Sequence, residues 1–234
     1  MSPLEKVKVR TTLPFPVPPI AARRELQTAR LIIRAPQPSD LAALHTLRTQ
    51  PEVMIFSSEG RIDRNLEETR KNLETSLPPN DSSTYDFLLF NKETGDLIGT
   101  GGVHRLSHWF GWPEVGYCLK HEAWGQGYAT EFLTAFLENW WSLPRTEAEL
   151  EVNAKSIGET TQASSNNVVN ECLTAMVEKD HVPSRRVLEK SGFRLFDEWN
   201  ELDDREGFDS REIGLTGYGI SSPSPERGIS LGKT

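Results

Sequence analysis

A glycine-rich hexapeptide, Trp-Gly-Gln-Gly-Tyr-Ala at residues 124–129, has the residue types and spacing of an anion-binding loop. Gly125 and Gly127 let the backbone turn tightly and approach a ligand without a Cβ in the way. The helix predicted over residues 130–141 would offer unpaired N–H groups and about half a positive charge at its first turn. Phosphate or pyrophosphate is the group that such a loop favours.

The elements that must position this loop follow from the hydrophobic periodicity and the turn residues. Residues 114–120 alternate as a strand before the loop, and Pro144 ends the helix after it. The rest of the pattern predicts strands over 31–34, 87–90, 97–106, 172–177, 193–199 and 211–218, and helices after Pro38, over 63–77 and over 184–190. We expect the strands over 87–90 and 97–106 to pair as a hairpin around Gly95.

Composition shifts divide the chain into three parts. Residues 1–25 carry four closely spaced prolines, which predicts an extended arm that is not a core element. Residues 26–220 form the predicted domain. Within it, residues 148–152 have some strand character, and most of the polar stretch 145–170 is interpreted as an inserted loop. Residues 221–234 are predicted to be a flexible tail.

Charge and composition exclude several classes of function. The chain has 234 residues and a net charge of −8, which argues against nucleic-acid binding and favours cationic or amine ligands. The sequence contains neither an apolar stretch of roughly 20 residues nor a signal-peptide core, so we expect a cytoplasmic protein without membrane contact. Cys118 and Cys172 predict buried thiols, neither a disulfide framework nor a metal site. The oligomeric state stays open, with a homodimer as one option.

Five ordered segments resemble the GNAT superfamily of N-acetyltransferases, and most closely its branch of ribosomal-protein N-terminal acetyltransferases. They are Thr-Ala-Arg-Leu-Ile-Ile-Arg at 28–34, Ile-Gly-Thr-Gly-Gly at 98–102, Glu-Val-Gly-Tyr at 114–117, Trp-Gly-Gln-Gly-Tyr-Ala-Thr-Glu at 124–131 and Ser-Arg-Arg-Val-Leu-Glu-Lys-Ser-Gly-Phe at 184–193. The resemblance implies a single α/β (α+β) domain with a mixed, strongly twisted sheet flanked by helices. It also implies acetyl-CoA bound where the fourth and fifth strands splay apart, and no metal.

The resemblance also assigns residues to the cofactor. Backbone N–H groups of the loop would bind the pyrophosphate, and the pantetheine arm would lie along β-strand residues 117–119. His181 stands where the family places a pantetheine-binding Asn, and it is otherwise a surface histidine. Arg186 is the proposed contact to the 3′-phosphate, while its neighbours Arg185 and Lys190 could equally belong to a solvated helix face. The full set is Tyr117, Cys118, Leu119, Trp124, Gly125, Gln126, Gly127, Tyr128, Ala129, Thr130, His181, Ser184 and Arg186.

Acetyl transfer to nitrogen requires a neutral amine, and Glu114 is the candidate base. An alkylammonium group with a pKa near 10.4 is only about 0.04% neutral at pH 7, so a proton acceptor would assist it. The resemblance places Glu114, at the start of the fourth strand, near the acceptor side of the thioester. The alternative is an exposed carboxylate at a strand end.

The leaving thiolate and the oxyanion need hydrogen-bond donors. Many relatives use a Tyr as general acid where this chain has Leu188, and the branch suggests Ser184 as its replacement; the alternative is that Ser184 caps the helix. The oxyanion would accept from the backbone N–H of Cys118 or Leu119. Cys118 as an acyl-carrying nucleophile is a weaker alternative, because it has no activating base nearby in sequence.

The acceptor is the least specified part of the prediction. Trp109, Trp112 and Trp124 could form an aromatic wall for an amine, although core packing is the more common reason for such residues. We expect the acceptor, a protein N-terminus or a small-molecule amine, to contact residues 54–61, 107–113 and the insertion. A catalytically silent acetyl-CoA-binding module is the alternative function, and a nucleotide site is disfavoured because no P-loop Lys follows the glycines.

Overall fold

Ten strands and five α-helices are present in the part of the chain that the computed structural model describes, namely residues 5–157, 167–206, 208 and 211–223. The strands are β1 Lys6–Leu13, β2 Leu26–Gln27, β3 Leu31–Arg34, β4 Tyr85–Asn91, β5 Leu97–Arg105, β6 Glu114–Leu119, β7 Thr146–Asn153, β8 Cys172–Glu178, β9 Arg194–Leu202 and β10 Glu212–Ser221. The helices are α1 Leu41–Arg48, α2 Pro51–Met54, α3 Leu66–Glu74, α4 Tyr128–Ser142 and α5 Val182–Lys190.

Eight of these strands form one sheet in the order β2-β3-β4-β5-β6-β8-β10-β9. Its neighbouring strands run antiparallel, except that β6 and β8 are parallel. The predicted mixed sheet flanked by helices is confirmed, and so is the hairpin of β4 and β5, whose turn uses Gly95 at a φ of +76°. No helix in the described ranges is both long and apolar enough to cross a bilayer.

The two faces of the sheet are covered by different helices. Leu88 and Leu89 are adjacent on β4, yet Leu88 packs with α1 and α3 while Leu89 packs with α4 and α5. Side chains alternate along a strand, so these two clusters lie on opposite faces. Helix α4 follows the predicted pattern, with an apolar stripe that buries Phe132, Phe136 and Trp140 completely.

The N-terminal segment contains a core strand, so its interpretation as an extended arm that is not a core element was wrong. Strand β1 pairs with β7 along its whole length, from Lys6 opposite Asn153 to Leu13 opposite Thr146. Val9 and Leu13 are buried. The prolines lie beyond the end of this strand, and its alternation supplies an apolar face that needs a partner.

The first part of the polar insertion is a strand, where the sequence showed some strand character over residues 148–152. Residues 146–153 form β7, and residues 154–157 form a short 3₁₀ turn; residues 158–166, the polar centre of the insertion, lie outside the described residues, as do residues 224–234 of the tail. The charged residues of β7 alternate with Leu150 and Val152, which pack inward. The charges therefore mark the solvent face of a strand.

The two-stranded sheet supports the loop between β5 and β6. Asn153 N–H donates to the carbonyl of Phe110 at 2.9 Å, and the Trp112 indole donates to Ser156 Oγ at 2.8 Å. Gly111 has a φ of +81°, and a Cβ there would lie 2.0 Å from the carbonyl oxygen of Glu151, so only glycine fits. The arm and the insertion together hold residues 107–113 in place.

Candidate active site

Strands β6 and β8 meet at one point and then separate. Glu114 pairs with Thr174, whose backbone N–H donates to the carbonyl of Pro113 at 2.9 Å. Beyond this pair, residues 116–118 of β6 and residues 176–178 of β8 are only half-buried, although both strands lie in the middle of the sheet. We call the gap between these two segments the strand opening.

Backbone hydrogen bonding decides which N–H groups face the strand opening. Lys120 N–H donates to the carbonyl of Ile98 on the β5 side. N–H directions alternate along a strand, so the N–H of Cys118 also points toward β5, while those of Tyr117 and Leu119 point toward the opening. Of the two predicted oxyanion donors, this geometry favours Leu119 and disfavours Cys118.

The glycine-rich loop has the backbone conformation of an anion cradle. Gly125 has a φ of +72° and Gly127, immediately before α4, a φ of +83°. The backbone N–H groups of residues 125–130 make no hydrogen bond to the described residues. A Cβ on Gly125 would meet no atom within 4 Å, so the loop presents free donors to open space. Pyrophosphate fits these donors.

Side chains from three directions fix the cradle. The Trp124 indole donates to the carbonyl of Leu119 at 2.8 Å, and the Gln126 amide donates to the carbonyl of Glu122 at 2.7 Å. Arg30 donates to the carbonyl of Gln126 at 2.9 Å, and its guanidinium lies over the ring of Tyr128, 4.3 Å from the centroid. Arg30 was not among the predicted site residues; its guanidinium is paired with Glu131 on α4, with Nη2 2.6 Å from Oε2, so it fixes the loop as part of an ion pair.

Helix α5 reaches the strand opening through Ser184. Its hydroxyl lies 2.9 Å from that of Tyr117 on β6. The helix begins at Val182 after His181, so Ser184 stands inside the first turn and the alternative role as helix cap was wrong. Burial raises the pKa of Tyr117 to about 12, against an opposing effect of the Ser184 hydrogen bond. Tyr117 is therefore a protonated hydroxyl donor at neutral pH.

Two other residues of the α5 region have defined places. Leu188, at the position of the missing Tyr, is 1% exposed and packs in the core beneath α4. His181 is half-buried, and its ring stacks on Phe56 with centroids 3.9 Å apart. Burial lowers the pKa of His181, so the ring is held as a neutral, stacked group rather than an exposed cation. Phe56 belongs to segment 54–61, which is predicted to contact the acceptor. The stacking contact places this segment next to His181, which is predicted to bind the cofactor.

Glu114 is buried at the base of the opening between two histidines. It is 5% exposed, so the alternative of an exposed strand-end carboxylate was wrong. His104 Nε2 lies 3.3 Å from Glu114 Oε1, and His108 Nδ1 lies 3.1 Å from Oε2. Burial alone would raise the pKa of Glu114, but the two histidines outweigh it and lower the pKa to about 2. A carboxylate with so low a pKa is a poor proton acceptor near pH 7.

Other predicted residues lie away from this chemistry. Cys118 packs its side chain toward the α1 and α3 cluster, and burial raises its thiol pKa to about 12, which argues against a nucleophilic thiolate. The three tryptophans form no common wall: Trp112 is buried, Trp109 stacks on Trp199, and Trp124 stands at the cradle.

The basic residues of α5 point in different directions. Arg185 donates to Tyr218 at 3.1 Å and to the carbonyl of Lys179, so it faces β10. Arg186 and Lys190 are exposed, and the contact of Arg186 with a 3′-phosphate stays a prediction. Within the described ranges no group of three or more His, Cys, Asp or Glu has the arrangement of a metal site.

His104, His108, Arg30 and the hydroxyl of Tyr117 are the site residues that the sequence analysis missed. A signal existed for His104, since it lies near the end of the predicted strand over 97–106 and Glu114 begins the next predicted strand. The long connection between these strands hid their register, because only short turns fix which residues lie opposite each other.

Comparisons with known proteins agree with this architecture. A family model described as an acetyltransferase (GNAT) domain matches residues 30–194, which is more than half of the chain. A GNAT-family acetyltransferase from Bacillus anthracis has a TM-score of 0.60 at 19% identity, covering 85% of this chain and 99% of its own. No curated protein gives a significant sequence match.

Two further similar structures carry more specific descriptions. A ribosomal-protein-S5-alanine acetyltransferase from Vibrio fischeri has a TM-score of 0.60 at 15% identity, covering 86% of this chain and 98% of its own. A spermidine N-acetyltransferase from Vibrio cholerae, in complex with CoA and spermine, also has a TM-score of 0.60 at 15% identity, covering 83% and 97%. At these identities the structural likeness shows the fold, while the family model shows the membership: the chain belongs to the GNAT acetyltransferase family.

Proposed function

We propose that this protein transfers an acetyl group from acetyl-CoA to an amine nitrogen by direct attack within a ternary complex. The observation that carries the proposal is the strand opening beside an anion cradle with free N–H donors. Bound acetyl-CoA would supply the acetyl thioester. A protein N-terminus and a small-molecule amine both remain candidate acceptors, as the similar structures include an enzyme described for each.

The chain holds the cofactor chiefly through its backbone. N–H groups of residues 125–130 would bind the pyrophosphate, with Arg30 holding the loop through the carbonyl of Gln126. On the side that faces β8, the described residues of β6 beyond Glu114 have no strand partner, so Tyr117 can offer its N–H and carbonyl groups to the amides of the pantetheine arm. His181 and Arg186 complete this proposed set from α5.

Three hydrogen-bond donors of the chain would assist the acyl transfer itself. The N–H of Leu119 would stabilise the oxyanion, since it points into the opening. The hydroxyls of Tyr117 and Ser184 would hydrogen-bond the leaving sulfur, which needs little help because a thiol pKa near 8.5 makes it a fair leaving group. The side chain of Leu188 cannot take part, because it is buried and apolar.

Thermal shift with acetyl-CoA, followed by release of free CoA over a panel of amines, tests the proposal. We expect stabilisation by acetyl-CoA and turnover with at least one amine. Stabilisation without turnover on any acceptor would favour the silent binding module, and the absence of stabilisation would reject both functions. Panel members should include a polyamine, an arylamine and peptides with a free N-terminal Ser or Ala.

A further inference from the structure

A β-bulge places His104 beside the strand opening. Val103 pairs with Val115 and Arg105 pairs with Glu114, so His104 is the extra residue between two paired ones. Bulges of this kind redirect a side chain and are frequent next to active sites. The His104 side chain is 41% exposed, whereas Glu114, 3.3 Å from its Nε2, is buried. The ring therefore joins a buried carboxylate to solvent.

Arg105 fixes the second histidine of the cluster in one tautomer. Its Nη1 contacts His108 Nε2, and a guanidinium can only donate, so Nε2 of His108 must accept. The proton of His108 is then on Nδ1, where it is donated to Glu114 Oε2 at 3.1 Å. His108 thus has both ring nitrogens occupied, and it leaves Oε1 of Glu114 to His104.

The other nitrogen of His104 is free. A carboxylate accepts hydrogen bonds, so the neutral ring carries its proton on Nε2 toward Glu114 and leaves the lone pair on Nδ1. In the described part of the chain Nδ1 has no hydrogen-bond partner. The ring edge lies over Gly116, where a Cβ would stand 2.7 Å from Cε1 and 3.1 Å from Nδ1. Gly116 is half-buried at the strand opening, so the free lone pair lies beside it.

Because side chains alternate between the two faces of a strand, Nδ1 of His104 and the hydroxyl of Tyr117 lie on opposite faces of the sheet. His104 shares the sheet face of Glu114 and Gly116, since its ring lies where a Gly116 side chain would point. Tyr117 projects from the other face, toward α4 and α5. An amine could therefore lose its proton on one side of the opening while the sulfur receives one on the other side.

We propose that His104 is the proton acceptor for the amine, that Glu114 is the carboxylate that positions it, and that His108 and Arg105 hold Glu114. This inference rests on the proposed acetyl transfer. The amine nitrogen forms a bond to the acetyl carbon, its proton passes to His104 Nδ1, and the C–S bond breaks with its electron pair going to sulfur. The thiolate, hydrogen-bonded by the Tyr117 and Ser184 hydroxyls, takes a proton from solvent, and the imidazolium returns its proton to water.

The charges around His104 set the sign of the pH dependence. Loss of solvent lowers the pKa of His104, but Glu114 on β6 and Asp86 on β4 raise it and Arg105 lowers it, with a net rise above 6.5. Because the His104 side chain is 41% exposed, the effect of the carboxylates outweighs the loss of solvent. Because the acceptor must be neutral, turnover should fall as pH drops through this raised pKa.

The test measures kcat against pH for the wild type, His104→Asn and Glu114→Gln, using an acceptor amine whose own pKa lies below about 5 so that only the protein titrates. We expect His104→Asn to lower kcat roughly 100-fold and to leave acetyl-CoA affinity within about twofold. It should also abolish the acidic limb, that is, the fall of kcat as the pH drops. Glu114→Gln should shift the limb down by about one pH unit or more. A His104→Asn variant that keeps the wild-type limb would overturn the inference.

Histidine tautomers give a readout that does not depend on turnover. Long-range ¹H–¹⁵N correlation of ¹⁵N-histidine protein should show His104 protonated on Nε2 and His108 on Nδ1 when the rings are neutral. A neutral His104 protonated on Nδ1 would contradict the inference even in a fully active enzyme. Wild-type protein that turns over no amine would instead reject the proposed acetyl transfer, while the tautomers would still test the cluster.

Discussion

Glu114 and Thr174 join the two halves of the central sheet, and in the described strands no second residue pair connects β6 to β8. On one side of this pair the carbonyl of Pro113 accepts from Thr174, so the strands are closed. On the other side they separate and expose backbone. Glu114 therefore closes the sheet at this point and also contacts His104 and His108. One residue links the strand opening to the histidine cluster.

Gly127→Glu should weaken acetyl-CoA binding by roughly 100-fold or more, equivalent to about 2.7 kcal/mol. The substitution places a carboxylate at the cradle and strains a backbone with a φ of +83°. Titration calorimetry would measure the affinity. Gly95→Glu is the matched control, because Gly95 also has a positive φ and open surroundings but lies in the β4–β5 turn. Unchanged affinity in Gly127→Glu would refute the placement of the pyrophosphate.

Tyr117→Phe and Ser184→Ala should each lower kcat about tenfold, as expected for one lost hydrogen bond to the leaving sulfur. Because the two hydroxyls contact each other, the double variant should lose less than the product of the single losses. Steady-state kinetics would measure both effects. Tyr218→Phe is a suitable control, since its hydroxyl also joins a strand to α5, through Glu189, without facing the opening. Full kcat in Tyr117→Phe would exclude its role.

Glu114→Gln should lower the free energy of unfolding at pH 7 by about 3 kcal/mol. The folded pKa of Glu114 is depressed to about 2, so its charged form stabilises the fold above the unfolded value near 4.5. That contribution is lost as pH falls from 4.5 toward 2. Urea unfolding at pH 7 and pH 3 would measure the difference, with exposed Glu93→Gln as the control. Equal stability of the variant and the wild type at pH 7 would contradict this account.

Leu13→Ala should lower the free energy of unfolding by about 2 to 5 kcal/mol, the usual cost of removing a fully buried Leu side chain. Arg10→Ala, an exposed change on the same strand, should cost less than about 1 kcal/mol. Thermal or urea unfolding would rank the two. A Leu13→Ala variant as stable as wild type would mean that β1 is not a core strand.

Local signals were enough for the elements near the cradle. Gly125 and Gly127 lie between an alternating strand and an apolar helical stripe, and the structure has this strand, this turn and this helix. Each signal lies within a few residues of the element that it predicts, so it could be read without knowing any long-range contact. The ordered segments of the resemblance then gave the mixed sheet.

Long-range pairings were the part that the sequence did not reveal. Strand β1 depends on a partner more than a hundred residues away, and the prolines that follow it resembled a linker. The histidine cluster depends on a bulge at His104, which local alternation cannot show. Glu114 was a predicted site residue, but its hydrogen-bond partners come from another strand and a loop, which the sequence does not place beside it.

The pairing of β1 with β7 has a consequence during synthesis. The partner of Leu13 is Thr146, which the ribosome reaches roughly 130 residues later; at ordinary rates of translation this takes about 7 to 26 s. During that interval the segment with Val9 and Leu13 is apolar on one side and lacks the partner that buries it in the fold, which makes it prone to wrong association. We therefore expect a chaperone to bind the nascent chain until β7 emerges from the ribosome.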